Sequence, residues 1–396
     1  MIRSLHTGRD LSPTGRDLSP AGIPIRSFSP LPDSGMGRGR GSHAWLLAAL
    51  AAALLAPSPC GASRIRGVTL APIEDGMLGP VGYGSDRCGI AIGEIAELGA
   101  TWISITPFGR VDDAASVDVE HDFEIPVARN EELIRRTAAM AKARGLRVAI
   151  IPHVYVMSGE WRGEIDPGPE EAWCAWFAAY REYLLRFAAL AEEVGADLLS
   201  IGVEFKSSTN FYEADWRELI ADVRGVYKGP LTYSANWDEV DAVPFWDALD
   251  AIGVNAFWPL AGKPGDGYEA MRDRAARVAD ELEGIAFYYD RPVLFTEMGV
   301  KSATDSALAP WEWPEHCAQL RYDETYQAEA YQAVLEALAE RPWFWGMFVW
   351  KYFSDPYDET QEAREGFSPR GKLAEGVLAR WYRRSWDPSW LDLQAE

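Results

Sequence analysis

Several amphipathic segments of the chain share one arrangement, in which a helical period is followed by a glycine and then by a short apolar run. In the longest of them, apolar residues recur at spacings of three and four between Trp173 and Ala191, which predicts a helix with one apolar stripe against a sheet. A glycine just beyond a helix adopts the left-handed conformation that ends it. The predicted helices are 94–98, 130–144 and 170–194, and they end at Gly99, Gly145 and Gly195.

The apolar runs are continuous rather than alternating, which is typical of strands buried on both faces in a parallel sheet covered by helices. Further helices are predicted over 268–282, 324–339 and 372–382. Eight strand–helix units favour an α/β fold of the (β/α)8 TIM-barrel type, built as one domain, over a doubly wound open sheet. The predicted strands are 68–71, 102–105, 146–151, 197–203, 231–234, 251–255, 293–296 and 344–350.

The first sixty residues differ in character from this repeating pattern. The heptapeptide TGRDLSP occurs twice, at 7–13 and 14–20, within a stretch rich in Pro, Ser, Gly and Arg. Arginines then precede an apolar run over 44–56, a pattern that predicts a secretory signal peptide. The run is too short for a stable membrane span, so we expect a protein that is secreted or held in the periplasm or cell envelope.

Two alternatives remain open in this region. Met36 precedes the signal pattern and is an alternative start of the chain, and Cys60 is an alternative site of lipid attachment to simple cleavage near Ser63. The predicted organisation is a low-complexity and signal-peptide region over 1–62, a barrel domain over 63–385, and a C-terminal tail over 386–396.

Composition narrows the classes of partner. The 396 residues carry a formal net charge of −22, which opposes binding to nucleic acid or to anionic membranes and leaves a neutral polysaccharide open. Few histidines and no HExxH spacing argue against a catalytic metal, and no phosphate-binding loop indicates a nucleotide cofactor. We therefore expect no cofactor. We also expect the protein to be a monomer. Four sparse cysteines imply no disulfide framework, and we expect Cys174 to be a small core residue of its helix.

Glutamates stand at the ends of two predicted strands. A barrel places its active site at the carboxyl ends of its strands, where Glu204 ends the fourth and Glu297 the seventh. Two facing carboxyl groups are what retaining glycoside cleavage requires, one as nucleophile and one as acid/base. The alternative is that either glutamate is a structural ion-pair partner, for example of Lys206.

The sequence resembles glycoside hydrolase family 113, whose type activity is endo-β-1,4-mannanase, within the large clan of retaining barrel glycosidases. The resemblance implies that Glu204 is the acid/base and Glu297 the nucleophile. Two positions depart from the wider clan, since Val203 stands where Asn is frequent and Phe257 where Tyr is common. The segments that carry the resemblance are PHVYVMSGEWRGEI (152–165), IGVEFKSS (201–208), LTYSANWDEVDAVPFWDALDAIGVNAFWPL (231–260), RPVLFTEMGVKS (291–302) and GFSPRGKLAEGVL (366–378).

Polar and aromatic residues near the strand ends are candidates for sugar binding. Trp350 is the predicted floor of the cleaved-sugar subsite, because tryptophan faces stack on sugar rings. His153 either donates to a sugar hydroxyl or caps its strand, and Asn236 either holds a sugar or supports the nucleophile. Trp161 and Trp258 either stack on sugars or pack their loops, and Trp237 is the remaining candidate platform.

The predicted function is hydrolysis of β-1,4-linked glycans, most closely mannan, with oligo- or polysaccharide as the partner. A β-glucan or β-galactoside substrate is the main alternative, because barrels apply one chemistry to many sugars. A secreted sugar-binding barrel that lost turnover is a further alternative. Three tryptophans on predicted helices are expected to lie in the core instead, namely Trp173, Trp176 and Trp216.

Overall fold

The computed structural model describes residues 64–71, 81–123, 125–314, 317, 320–358 and 360–383. Eight parallel strands close into a barrel. In chain order they are β1 (Ile65–Ala71), β2 (Trp102–Ile105), β4 (Arg147–Ile150), β6 (Leu198–Val203), β7 (Leu231–Asn236), β8 (Ile252–Asn255), β9 (Val293–Met298) and β10 (Phe344–Phe353). The predicted (β/α)8 barrel is confirmed, and each predicted strand overlaps one barrel strand.

Helices follow most of the barrel strands, and a 3-10 turn (Trp246–Ala248) connects β7 to β8 instead. The helices are α1 (Asp86–Leu98), α2 (Val127–Ala143), α3 (Glu170–Val194), the short α4 (Lys206–Thr209), α5 (Glu213–Val226), α6 (Tyr268–Tyr289), α7 (Glu324–Leu338) and the closing α8 (Leu373–Arg383). The predicted glycine stops are confirmed, since Gly99, Gly145 and Gly195 have φ values of 95°, 75° and 62°.

Helix α3 shows how the stripe positions a helix. Its buried residues include Trp173, Trp176, Phe177 and Tyr180, which face the barrel as predicted. Trp216 on α5 is also fully buried, so these tryptophans belong to the core. Cys174 is exposed, and its predicted place in the core is wrong. One residue advances a helix by about 100°, which turns position 174 away from the stripe formed by its neighbours.

A second, two-stranded parallel sheet was not predicted. Strand β3 (Phe108–Val111) follows β2 directly, strand β5 (His153–Val156) follows β4, and the two pair with each other. Pro107 and Pro152 interrupt the two chain segments at the barrel rim, since proline cannot donate to a sheet. The β3–β5 ribbon therefore continues two barrel strands beyond the rim, on the carboxyl side.

The interior of the barrel changes from apolar to polar along its axis. Its amino-terminal floor is an apolar cluster of Ile65, Trp102, Ala149, Leu198, Leu294 and Phe348. Nearer the carboxyl ends, hydroxyls pair across neighbouring strands: Ser104 Oγ lies 2.9 Å from Thr69 Oγ1, and Ser200 Oγ 3.0 Å from Ser234 Oγ. The polar side chains needed for chemistry are thus gathered at one end.

The sequence predictions for the signal region and the C-terminal tail lie outside the described residues. Within the described ranges, no helix is both long and apolar enough to cross a membrane.

Candidate active site

Glu204 leaves strand β6 in an unusual backbone conformation. Its φ is +55°, in the left-handed region that residues other than glycine rarely adopt. Two neighbours hold this turn: the Glu204 N–H donates to the Ser234 carbonyl at 2.9 Å, and the Phe205 N–H donates to the Tyr233 hydroxyl at 2.6 Å. Strain kept in place by such contacts clusters at functional sites, and here it sits on the predicted acid/base.

Both oxygens of the Glu204 carboxyl group accept a hydrogen bond. Trp161 Nε1–H donates to Oε2 and Asn255 Nδ2–H donates to Oε1, each at 2.9 Å. The indole reaches this position because residue 163 is a glycine, since a Cβ there would lie 2.4 Å from the Trp161 ring. Two fixed donors on different elements therefore set the orientation of this carboxyl group.

Asn255 links the two predicted catalytic glutamates. The Thr296 hydroxyl donates to Asn255 Oδ1 at 2.9 Å, which turns the amide hydrogens toward the carboxyl groups. One amide hydrogen bonds Glu204, and a hydrogen bond from Asn255 also lowers the pKa of Glu297. Asn255 also lies opposite Glu297 in the register of β8 and β9, so the same amide is placed beside both carboxyl groups.

Glu297 is the more enclosed of the pair, with 6% of its surface exposed. His153 Nε2 lies 3.1 Å from Glu297 Oε1, and His153 Nδ1 lies 2.8 Å from the Ile151 carbonyl. The carbonyl only accepts, so Nδ1 carries a hydrogen, and Nε2 of a neutral ring has only a lone pair. One proton must therefore lie between His153 and Glu297.

Burial decides where that proton resides. It raises the pKa of Glu297 to about 7, while the positive charges of Arg162 and Lys351 and the Asn255 hydrogen bond oppose the shift. Burial also lowers the pKa of His153 to about 3. Both effects favour the uncharged pair below neutral pH, in which Glu297 holds the proton and donates to His153.

A further carboxyl group, fully buried, lies behind Glu204. Glu239 is fully buried, and its Oε1 accepts from the Tyr233 hydroxyl at 3.1 Å and from the Asn236 N–H at 2.9 Å. Burial raises the pKa of Glu239 to about 8, so it is neutral at pH 7. Glu239 holds the Tyr233 hydroxyl, and that hydroxyl accepts the Phe205 N–H bond that supports the turn at Glu204. The role of Glu239 is therefore to support the position of Glu204.

Aromatic side chains line the mouth beside the glutamates. Trp350, Phe257 and Phe367 form one buried cluster, with the half-buried Trp237 packed against it. The Trp350 ring also lies 6.4 Å from the His153 ring, and the Trp350–Lys351 peptide is cis. Phe257, one of the departures from the clan pattern, thus contributes an apolar wall where a hydroxyl is common.

The structure brings some predicted binding residues to the glutamates and separates others. Trp161 and His153 contact Glu204 and Glu297 directly. Trp237 stacks on Trp311 with 5.4 Å between ring centroids, at the edge of the mouth. The Asn236 amide donates to Asp238 at 2.7 Å and not to Glu204 or Glu297.

Trp258 faces away from the mouth. It is 7% exposed, belongs to the main core and packs on Phe295, with ring centroids 5.7 Å apart. Phe257 and Trp258 are adjacent and point to opposite sides, so only Phe257 lies among the mouth aromatics. This placement agrees with the packing alternative for Trp258 and not with a sugar platform.

The ion-pair alternative for Glu204 finds no support in the geometry. Lys206 pairs with Asp238 at 2.6 Å instead. Across the described segments, no group of three His, Cys, Asp or Glu side chains is arranged to hold a metal ion.

Two contributors were not singled out from the sequence. Asn255 is the last residue of the predicted strand 251–255, and a lone amide after an apolar run is a signal of the same kind as Glu204. Arg162, from the loop after β5, places positive charge near Glu297 and His153. A charged residue in a loop carries no signal of this kind, because its loop must first fold over the site.

Comparison with known proteins gives one consistent family. The model of Glycoside Hydrolase Family 113 matches residues 81–372. A GH113 β-mannanase from Alicyclobacillus acidocaldarius is 29% identical, with a TM-score of 0.70, covering 81% of this chain and 97% of its own. A structure described as a GH113 β-1,4-mannanase is 26% identical, with a TM-score of 0.69, covering 81% of this chain and 99% of its own.

More distant structures share the fold alone. A GH5_18 protein from Streptomyces cattleya is 17% identical, with a TM-score of 0.53, covering 82% of this chain and 81% of its own. No curated protein matches the sequence. Because the family match covers most of the chain and includes both glutamates, this protein belongs to glycoside hydrolase family 113 and is a glycosyl hydrolase.

Proposed function

We propose that this protein hydrolyses internal β-1,4 linkages of mannan or a closely related β-glycan, with retention of configuration. The observation that carries the proposal is the position of Glu204 and Glu297 at the carboxyl ends of β6 and β9, where Asn255 donates to Glu204 and lies opposite Glu297 in the sheet. A retaining mechanism requires the two carboxyl groups to face each other at roughly 5–5.5 Å, whereas inverting enzymes leave room for a water between them.

The roles of the two glutamates follow from their surroundings. Glu297, facing His153 deep in the mouth, attacks the anomeric carbon once it has lost its proton. Glu204, half-buried and oriented by Trp161 and Asn255, protonates the leaving oxygen and then activates water for the second step. The pH profile is bell-shaped, because Glu297 must be ionised while Glu204 is protonated, and burial places the pKa of Glu297 at about 7.

The mannan assignment is supported by the GH113 β-1,4-mannanases at 26–29% identity. The aromatic floor is consistent with any β-linked pyranose, so β-glucan and β-galactoside remain the alternatives. Trp350 is the proposed stacking floor for the sugar that is cleaved, since its cluster lies beside His153 and thereby beside Glu297.

One experiment tests both the substrate and the stereochemistry. Manno-, gluco- and galacto-oligosaccharides of equal length are incubated with the enzyme, and the first-formed anomer is followed by proton NMR. We expect the fastest cleavage on manno-oligosaccharides, with a β-anomer released first. Faster cleavage of another series would reassign the sugar, an α-anomer would exclude retention, and binding without turnover would identify a sugar-binding barrel.

We propose that the mature protein acts outside the cytoplasm as a monomer. The arginines followed by the apolar run 44–56 support export. Intact mass of the secreted protein distinguishes cleavage near Ser63 from lipid attachment at Cys60. Sedimentation of the mature protein tests the monomer.

A further inference from the structure

The β3–β5 ribbon has two unlike faces. Gly109, Val111, Val154 and Val156 lie on the buried face, which packs into the core. The opposite face carries Phe108 and Arg110 from β3 and His153 and Tyr155 from β5, as the strand period requires. This second face begins at the nucleophile, because His153 bonds Glu297, and it runs outward from there.

Aromatic rings follow one another along this outer face. The His153 ring lies 5.0 Å from that of Phe108, which lies 5.6 Å from that of Phe123, which in turn lies 5.3 Å from that of Tyr155. These separations are typical of aromatic pairs in contact. A continuous aromatic band thus leads from the catalytic centre to the outside of the mouth.

The far end of the band is open to solvent. Tyr155 is 39% exposed and Met157, the next residue on that face, is 49% exposed. Adjacent exposed apolar side chains that continue a functional site mark a binding surface more often than isolated ones do. Two residues of strand span about 7 Å, so Tyr155 lies roughly one sugar unit beyond His153.

The arginine on this face is engaged by two acidic side chains. Arg110 is paired with Glu120 and lies 3.0 Å from Asp112. An aromatic face whose arginine is already paired suits the apolar face of an uncharged sugar better than it suits a uronic acid, for which an unpaired cation would be expected.

We propose that Phe123 and Tyr155 on the outer face of the β3–β5 ribbon form a distal sugar-binding subsite that holds a further neutral unit of the glycan chain. The proposal rests on the proposed function, because its occupant is the same chain that is cleaved between Glu204 and Glu297. Such a subsite adds affinity in proportion to chain length and favours cleavage within long chains.

Binding and turnover are measured separately to test it. Neutral β-1,4-manno-oligosaccharides of two to six units, with gluco-oligosaccharides in parallel, are titrated calorimetrically into Glu297→Gln and into the same protein carrying Tyr155→Ala. We expect Tyr155→Ala to lower the ratio of long-chain to short-chain association constants about 5- to 10-fold, the size of one lost aromatic stack. Tyr155→Trp should restore the ratio.

Tyr288→Ala is the matched control, since Tyr288 is 81% exposed near the end of α6, on the opposite side of the barrel from the mouth. An unchanged ratio in Tyr155→Ala, or an equal fall in Tyr288→Ala, overturns the subsite. Absence of binding by both series overturns it as well. Length-dependent binding without turnover by the wild-type enzyme supports the subsite and overturns the proposed function instead.

Discussion

The two ends of the barrel are built by the same strands and differ in almost every other respect. At the amino-terminal floor, side chains such as Leu294 and Phe348 are fully buried and apolar. At the mouth, Glu297 is the next-to-last residue of β9 and is enclosed yet ionisable, and Glu204 follows β6 directly with a left-handed backbone. On β9, only three positions separate Leu294, which packs the floor, from Glu297, which lies in the candidate active site.

Unlike the floor, the mouth contains features that are unfavourable for stability. It holds a buried carboxyl group with a raised pKa and a strained backbone at a catalytic position. Such features reduce stability, and the packing elsewhere in the fold offsets them. Substitutions at the mouth should therefore mainly change the rate of catalysis, whereas substitutions at the floor should mainly change the free energy of unfolding.

The largest expected effects are at the glutamates. Glu297→Ala removes the nucleophile and should lower kcat/KM about 10⁵-fold on oligosaccharides. Azide added to this variant should give a glycosyl azide of inverted configuration. Glu204→Ala should retain the first step on dinitrophenyl glycosides, which need no proton for departure, and azide should then give a product of retained configuration.

The stereochemistry of the azide products assigns the roles. The opposite outcome in the two variants would exchange the roles of Glu204 and Glu297. A wild-type rate in Glu297→Ala would exclude the two-glutamate mechanism.

At the floor, Leu294→Ala should act on stability. The side chain is fully buried, and its truncation leaves a cavity that costs about 3–5 kcal/mol of unfolding free energy. Urea unfolding measures this loss, and kcat at a temperature where the variant is folded should stay within about twofold of wild type. A large fall in kcat of the folded variant would show that the two ends are coupled.

Glu297→Gln should reveal the stability cost of the buried carboxyl group. The pKa of Glu297 is raised to about 7, so its contribution to stability is fully present at low pH and is lost as the pH rises through that value. The uncharged variant should therefore exceed wild type by about 3 kcal/mol at pH 8 and by little at pH 4.5. Chemical unfolding at both pH values tests the difference, and an equal gain at both would contradict the raised pKa.

The smallest of these effects is expected at the amide between the glutamates. Asn255→Ala removes one donor from Glu204 and one from Glu297, and we expect kcat/KM to fall about 10- to 100-fold with a change in the pH profile. Thr296→Val removes only the hydroxyl that orients the amide and should have a weaker effect in the same direction. An unchanged pH profile in Asn255→Ala would reduce this residue to a packing role.

Much of the fold was predictable from sequence because the signals are local. The helical stripe from Trp173 to Ala191 and the glycine stops such as Gly195 each depend on a few consecutive residues. The β3–β5 ribbon was missed because its strands follow barrel strands after only two residues, one of them proline, and have only four residues each. Short extensions of this kind become visible only when both strands are placed side by side.

The site was predictable in its glutamates and less so in its surroundings. A carboxyl group after an apolar strand is conspicuous, which is why Glu204 and Glu297 could be singled out. Which way a rim residue faces depends on tertiary packing, so Trp258 could not be separated from Phe257 in advance. The contact of Trp161 with Glu204 depends on the space left by Gly163, which no spacing reveals.

The first step of catalysis must displace the single proton that lies between His153 and Glu297. The Glu297 oxygen that becomes esterified in the glycosyl-enzyme cannot retain a hydrogen, and His153, whose pKa is about 3, is a poor acceptor for it. Below neutral pH, forming the covalent intermediate from a dinitrophenyl glycoside, whose phenolate leaves without taking up a proton, should therefore release close to one hydrogen ion to the medium. Calorimetry of this reaction in buffers of different ionisation enthalpy would count that ion, and the count should approach zero at alkaline pH.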